Sequence, residues 1–245
     1  MAEKKRIQQL SWWSDVAERL GLCKKGTGYH LHPIGLVAAF RRITDWELGR
    51  TSEQYESGGR GPGVISTGIG DHGGASYGRY QFSSNMGVVQ KYLAWSRFST
   101  EFSGLSPATL AFNAKWKEIA KNHTDDFSAE QHEFIKITHY EVQLQVLKDN
   151  GLDFVNDRAA LQDLIWSTAV QYGPKTRLFV KALAGRDANI LTDRDIIVLV
   201  QDYNYSKVES LFESSPGWWS DLKIRASGEK AKLLRLEVEK RVVEL

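Results

Sequence analysis

Apolar positions recur at helical spacing along most of the chain. In "SWWSDVAERLGL", Trp12, Val16 and Leu20 share one face, with Ser11 as N-cap and Gly21 as stop. A loop "CKKGTGYHLHP" follows, and Pro33 suits the first turn of a helix carrying Ile34, Val37, Phe40 and Ile43 toward Glu56. "SSNMGVVQKYLAWSRF" offers Val88, Tyr92 and either Trp95 or Leu93 inward. "SPATLAFNAKWKEIAKNH" reads as a helix capped by Ser106 with Pro107 at its first position. "SAEQHEFIKITHYEVQLQVL" opens with Ser128 and Gln131 at capping-box spacing. "DRAALQDLIWSTAVQYG" runs from an Asp157 cap to Gly173, "TRLFVKALAG" ends on Gly185, and a further helix begins at Thr192. The terminal "SGEKAKLLRLEVEKRVVEL" has the pattern of an exposed amphipathic helix.

The periodicity breaks in "YESGGRGPGVISTGIGDHGGASYGRYQF", residues 55–82, which holds nine of the 21 glycines. Strand signals are confined here: "GVISTG" and "ASYGRYQF" predict a small ribbon. The expected fold is therefore mainly α, a helical domain with a small glycine-rich β-hairpin and loop subregion forming one side of a cleft. The expected division is an N-terminal helix and linker over residues 1–32, then a domain over 33–245 with a C-terminal helical extension.

Composition narrows the partners. At 245 residues, with 42% hydrophobic and 25% charged residues, the chain can bury a substantial core. A net charge of +2 is too mild for a nucleic-acid partner. No apolar run approaches the ~20 residues of a membrane span, so no membrane insertion is expected. The single Cys23 forms no internal disulfide, which fits folding in the cytosol, and no signal-peptide pattern opens the chain.

Glu56 and Asp71 are the only carboxylates in the glycine-rich stretch. An arbitrary Glu is a surface residue and an arbitrary Asp a turn former. Yet Glu56 stands where a helix meets a glycine-rich loop, and partial burial there would keep its proton near neutral pH. Acid-catalysed glycoside hydrolysis needs such a group, commonly with a second carboxylate.

Three motifs sharpen this. "ES" at Glu56–Ser57, "GRYQ" at Gly78–Gln81 and "AVQYG" at Ala169–Gly173 resemble, in order, the motifs of the lysozyme-like superfamily that joins goose-type lysozymes and soluble lytic transglycosylases. The resemblance spans roughly residues 33–185. It implies Glu56 as general acid, with Ser57, Tyr77, Tyr80, Gln81, Gln171 and Tyr172 lining a sugar cleft. Arg79 and Tyr80 replace the apolar pair usual in the middle motif, and the glycine-rich insert before it is unusually long. The order Glu56, Asp71, Ser76 is also similar to phage lysozymes of the T4 type, which implies Asp71 as second carboxylate and Ser76 as a water-positioning group. The two comparisons agree on Glu56 and leave Asp71 open.

The resemblance implies a muramidase acting on peptidoglycan glycan strands, with lytic transglycosylase as the alternative and no cofactor. It also implies a monomer made in the cytoplasm and acting on the wall of a target or host bacterium. A phage endolysin fits that description. So does an effector of a contractile, type VI-like secretion system, with an immunity protein or secretion spike protein as partner. The segment "WWSDVAERLG…YHLHPIGLV" is similar to those preceding lysozyme-like domains of spike-associated effectors.

Other chemistries compete. His30 and His32, with His72 or Cys23, would suit a zinc-dependent wall amidase, although H-E-x-x-H is absent. A binding module that had lost its chemistry is a further alternative. "DNGLDFVND" lacks the register of a calcium loop and reads as a turn. Glu53, Asp45 and Glu47 read as solvated or capping groups, and Trp166 as a core residue.

Overall fold

The computed structural model describes residues 47–56, 58–59, 61–68, 73–153, 158–188 and 190–243. The expected boundary at residues 32 and 33, the first helices and the Asp157 cap lie outside them. Turns over residues 47–52 lead into α1 (Glu53–Glu56). Three two-residue strands follow: β1 (Ile65–Ser66), β2 (Ser76–Tyr77) and β3 (Phe82–Ser83). They form an antiparallel sheet in that order, with Ile65 opposite Tyr77 and Tyr77 opposite Phe82. The fold is mainly α with a small β subregion, as the hydrophobic pattern predicts.

The sheet rests on helices rather than on a second sheet. Tyr77 and Phe82 point into an aromatic cluster with Tyr92, Phe112, Trp116 and Phe127, all fully buried or nearly so. Helix α2 (Val88–Trp95) buries Val89 and Tyr92, with Val88 and Leu93 at the core margin and Trp95 44% exposed. Burying each such large side chain contributes roughly 1.5–3 kcal/mol, so this cluster fixes the sheet to the helices.

Two helix starts differ from the sequence reading. Helix α3 (Leu110–Asn122) is capped by Thr109, whose side chain accepts from the Phe112 amide. Ser106 and Pro107 lie in the preceding turn, where Ala108 adopts φ +68° and interrupts any helix begun earlier. Helix α4 (Thr124–Ile135) starts four residues before Ser128. Gln131 caps nothing: fully buried, its amide donates to the Pro62 carbonyl and accepts from the Arg79 amide.

A π-helical turn, Lys136–Tyr140, joins α4 to α5 (Glu141–Asp149). Helix α6 (Ala159–Tyr172) is central, with residues 159–161 and 163–169 buried, and it stops at Gly173 as expected. Its apolar residues run all round it, the pattern of a helix enclosed by others. Helix α7 (Leu178–Ala182) precedes α8 (Asp193–Leu211), which Thr192 caps through a reciprocal capping box with Asp195.

The C-terminal helix α9 (Trp219–Val243) is longer than the expected segment and is not a free exposed rod. It packs along α8 and α6, burying Ala226, Glu229, Leu233 and Glu237. Two glutamates on the inner stripe make that stripe look polar in sequence, which hides the docking face.

Candidate functional site

The site is built where the turn before α1 meets α6. Asp163, fully buried on α6, accepts from the amides of Gly49 (2.7 Å) and Thr51 (2.9 Å). These bonds fasten the turn to the central helix. Gly49 sits at φ +85°, and a Cβ there would lie 2.5 Å from Trp166 Nε1. A side chain is excluded at this position both by conformation and by the indole.

The turn delivers Ser52 and Glu56 to the same place. Ser52 is fully buried, and its hydroxyl donates to Glu56 Oε1 at 2.7 Å. Trp166 Nε1 donates to Glu56 Oε2 at 3.4 Å. Both carboxyl oxygens therefore have donors within the protein. Burial pushes the Glu56 carboxyl up from 4.5 to about 7. The Ser52 hydrogen bond, the Arg225 charge and the Trp166 hydrogen bond oppose that rise, while the Glu229 charge adds to it. Desolvation outweighs the donors, so Glu56 is a carboxyl that holds or releases its proton near neutrality.

Aromatic groups wall the other side of Trp166. His132 stacks on the indole at 4.5 Å and 19°, and Tyr80 meets it edge-on at 5.9 Å. The Tyr80 hydroxyl is hydrogen-bonded to His132 Nδ1 at 2.7 Å. Burial lowers the His132 pKa below its ordinary value, which favours a neutral ring. Arg79, next to Tyr80, pairs with Glu53 at 2.8 Å, so Glu53 is not fully solvated.

Helix α9 closes the site from behind. Arg225 Nε donates to Glu229 Oε1 at 2.8 Å, and the Ser167 hydroxyl donates to Glu229 Oε2 at 2.7 Å. The Arg225 guanidinium lies 5.2 Å from the centre of the Tyr55 ring, and Lys232 Nζ lies 5.1 Å from it. Lys232 also donates to the Thr51 carbonyl.

The expected site residues fall in different places. Glu56 is at the centre, and Tyr80 reaches the wall of Trp166 and His132. Tyr172 hydrogen-bonds Asn204 and senses the charges of Arg225 and Glu229, the pair that also acts on Glu56. Gln171 is half-buried at the end of α6. Ser76 is half-buried in the middle strand, opposite Ser66 and Ser83.

Tyr77, expected on an open wall, is fully buried in the aromatic cluster. Its hydroxyl donates to Asn113 at 2.6 Å and accepts from the Ala108 amide at 2.7 Å. The Gln81 amide turns back to donate to the Gly78 carbonyl at 2.9 Å, at a φ of +52°. Ser57 and Asp71 lie outside the described residues, as do Cys23, His30, His32 and His72 of the alternative zinc site. Among the described residues no cluster of three or more His, Cys, Asp or Glu side chains could hold a metal.

Sequence reasoning missed Ser52, Asp163, His132, Arg225 and Glu229. Ser52 stands four residues before Glu56, a spacing that places the two on one helical face. Arg225 and Glu229 have the same spacing, but nothing local ties them to Glu56.

A family model described as "Type VI secretion system spike protein VgrG3-like, C-terminal" matches residues 48–230. The chain is also 59% identical over 194 residues to the type VI secretion system spike protein VgrG3 of Vibrio cholerae serotype O1 (strain ATCC 39315 / El Tor Inaba N16961). That match covers 79% of this chain and 19% of the relative, so the chain spans about a fifth of the relative's length. These findings correct the expectations drawn from the three motifs. They point to a spike-protein family in place of the lysozyme-like superfamily. They name no muramidase or other glycoside hydrolase, so the expected enzyme class and peptidoglycan substrate are withdrawn. Of the partners expected from sequence, the one they support is the type VI secretion spike. With most of its length matched, the chain belongs to the family of VgrG3-like C-terminal domains of type VI secretion spike proteins.

Proposed function

We propose that this chain acts in type VI secretion as a spike-borne domain, carried with the spike from the producing cell into a recipient. The observation that carries this reading is the 59% identity over 194 residues to a type VI secretion spike protein. The family description assigns the matched region to the C-terminal part of such proteins, and the small share of the relative that is matched fits one domain of a larger spike. Among the described residues no helix is long and apolar enough to cross a membrane. On this reading the partner is the spike body. The chain is made in the producer's cytoplasm and leaves with the spike.

The test is delivery. The chain is placed at the C-terminus of a spike protein with a small split-luciferase fragment, and recipients express the complementary fragment. Light is expected in recipients mixed with donors that have an intact contractile sheath, and none with sheath-deficient donors. Signal independent of the sheath, or no signal while the spike body is still exported, would overturn the proposal.

A further inference from the structure

The C-terminal helix meets the segment that carries Glu56 at the Tyr55 ring and, through Lys232, at the Thr51 carbonyl. Gly228 of α9 packs against that ring, and a Cβ at Gly228 would lie 2.5 Å from the Tyr55 hydroxyl. On either side, Arg225 and Lys232 approach the ring with their cationic ends. Cations over a partly desolvated aromatic face are attracted by the negative face of the ring. Tyr55 immediately precedes Glu56, so whatever holds Tyr55 holds the backbone that aims the carboxyl.

Arg225 is itself held. Glu229 is 1% exposed and accepts from both Arg225 and Ser167, the latter one residue after Trp166 on α6. The pair therefore links three elements: α9, which carries it, α6 through Ser167, and α1 through Tyr55. A solvent-facing ion pair would show neither the burial nor the shared hydroxyl.

We propose that Arg225, locked in place by Glu229, is a positioning residue that orients the Tyr55–Glu56 segment and sets the electrostatic field at the Glu56 carboxyl. Ser52 faces that carboxyl from its own turn, Trp166 from α6, Arg225 and Glu229 from α9, and Tyr80 from the ribbon. Arg225 favours the ionised carboxylate and Glu229 disfavours it. The two members of one ion pair thus act on Glu56 with opposite sign. The positioning rests on the packing of Arg225 and Gly228 on Tyr55 and on the bonds that hold Glu229, the charges only adding to it, and it is independent of how the domain is delivered.

The opposite signs supply the test. In protein carrying ¹³C-labelled glutamate, the Glu56 resonance is identified by its loss in Glu56→Gln, and its midpoint is followed by NMR. Arg225→Gln is expected to raise the midpoint, and Glu229→Gln to lower it, each on the order of one pH unit. Arg225→Lys, which keeps the charge, is expected to restore most of the wild-type value. Should Arg225→Gln not fold, the Lys variant and Glu229→Gln still decide, since the first must stay near wild type and the second must fall. General loosening would move both neutral variants in the same direction. That result, or an unmoved midpoint in either neutral variant, overturns the proposal.

Discussion

At the residue scale, Glu56 brings a pH dependence that the rest of the domain does not need. The folded carboxyl keeps its proton up to about 7, whereas the ordinary value is 4.5. Between these values the folded state binds more protons than the unfolded chain, so stability falls as pH rises through that window. The full effect is about 3 kcal/mol, complete above the folded value and absent below the unfolded one. Glu56→Gln removes the titration while keeping an acceptor for the Ser52 hydroxyl. Urea unfolding should find this variant near wild-type stability at pH 4, and more stable than wild type by roughly 2–3 kcal/mol at pH 8. Equal gaps at both pH values would show that Glu56 does not carry the shift. The residue was legible because an acid between a helix and a glycine-rich loop is chemically conspicuous. Its partners were not, because Trp166 and Arg225 lie far from it in the chain and have sufficient local reasons to exist, one as a core side chain and one in an i,i+4 ion pair.

At the element scale, helix starts depend on single side-chain oxygens, and these can be separated by substitution. Thr109 accepts from the Phe112 amide at the start of α3. Thr109→Ala should lower stability by about 1 kcal/mol. Ser106→Ala, at the cap expected from sequence, should change it by less than about 0.5 kcal/mol. A thermal melt of each distinguishes the two, and a larger loss at Ser106 would contradict the observed cap. Thr192 was readable because its capping box is closed within four residues. Ser106-Pro107 misled because the same dipeptide suits a turn, and the left-handed Ala108 that decides between them has no sequence signature. Gly49 is a second element-scale test. Gly49→Ala places a Cβ against the Trp166 indole at a positive φ, so it should cost more than the ~1 kcal/mol typical of a left-handed position alone. The Trp166 environment should change with it, visible as a shift in tryptophan emission.

At the scale of the whole molecule, α9 shows how much of a fold can be hidden by its own charges. Its inner stripe carries Glu229 and Glu237 beside Ala226 and Leu233. A hydrophobic count reads that stripe as half polar, so the helix looks like a surface rod. The structure resolves the conflict by bringing Arg225 and Ser167 to Glu229, which turns a buried charge into a satisfied pair. Buried pairs of this kind are costly to break and inexpensive to replace whole. Glu229→Ala alone should destabilise the domain by roughly 3–5 kcal/mol, because Arg225 and the Ser167 hydroxyl lose their acceptor in a desolvated place. Replacing both members, Arg225→Met with Glu229→Met, should return the domain to within about 1–2 kcal/mol of wild type, since the apolar pair fills the same volume without an uncompensated charge. Equilibrium unfolding in urea measures both. A double variant as unstable as the single one would mean that the pair holds α9 in place by charge and not by packing. If the double variant recovers stability while its Glu56 titration moves, docking the helix and tuning the acid are separable properties of the same two residues.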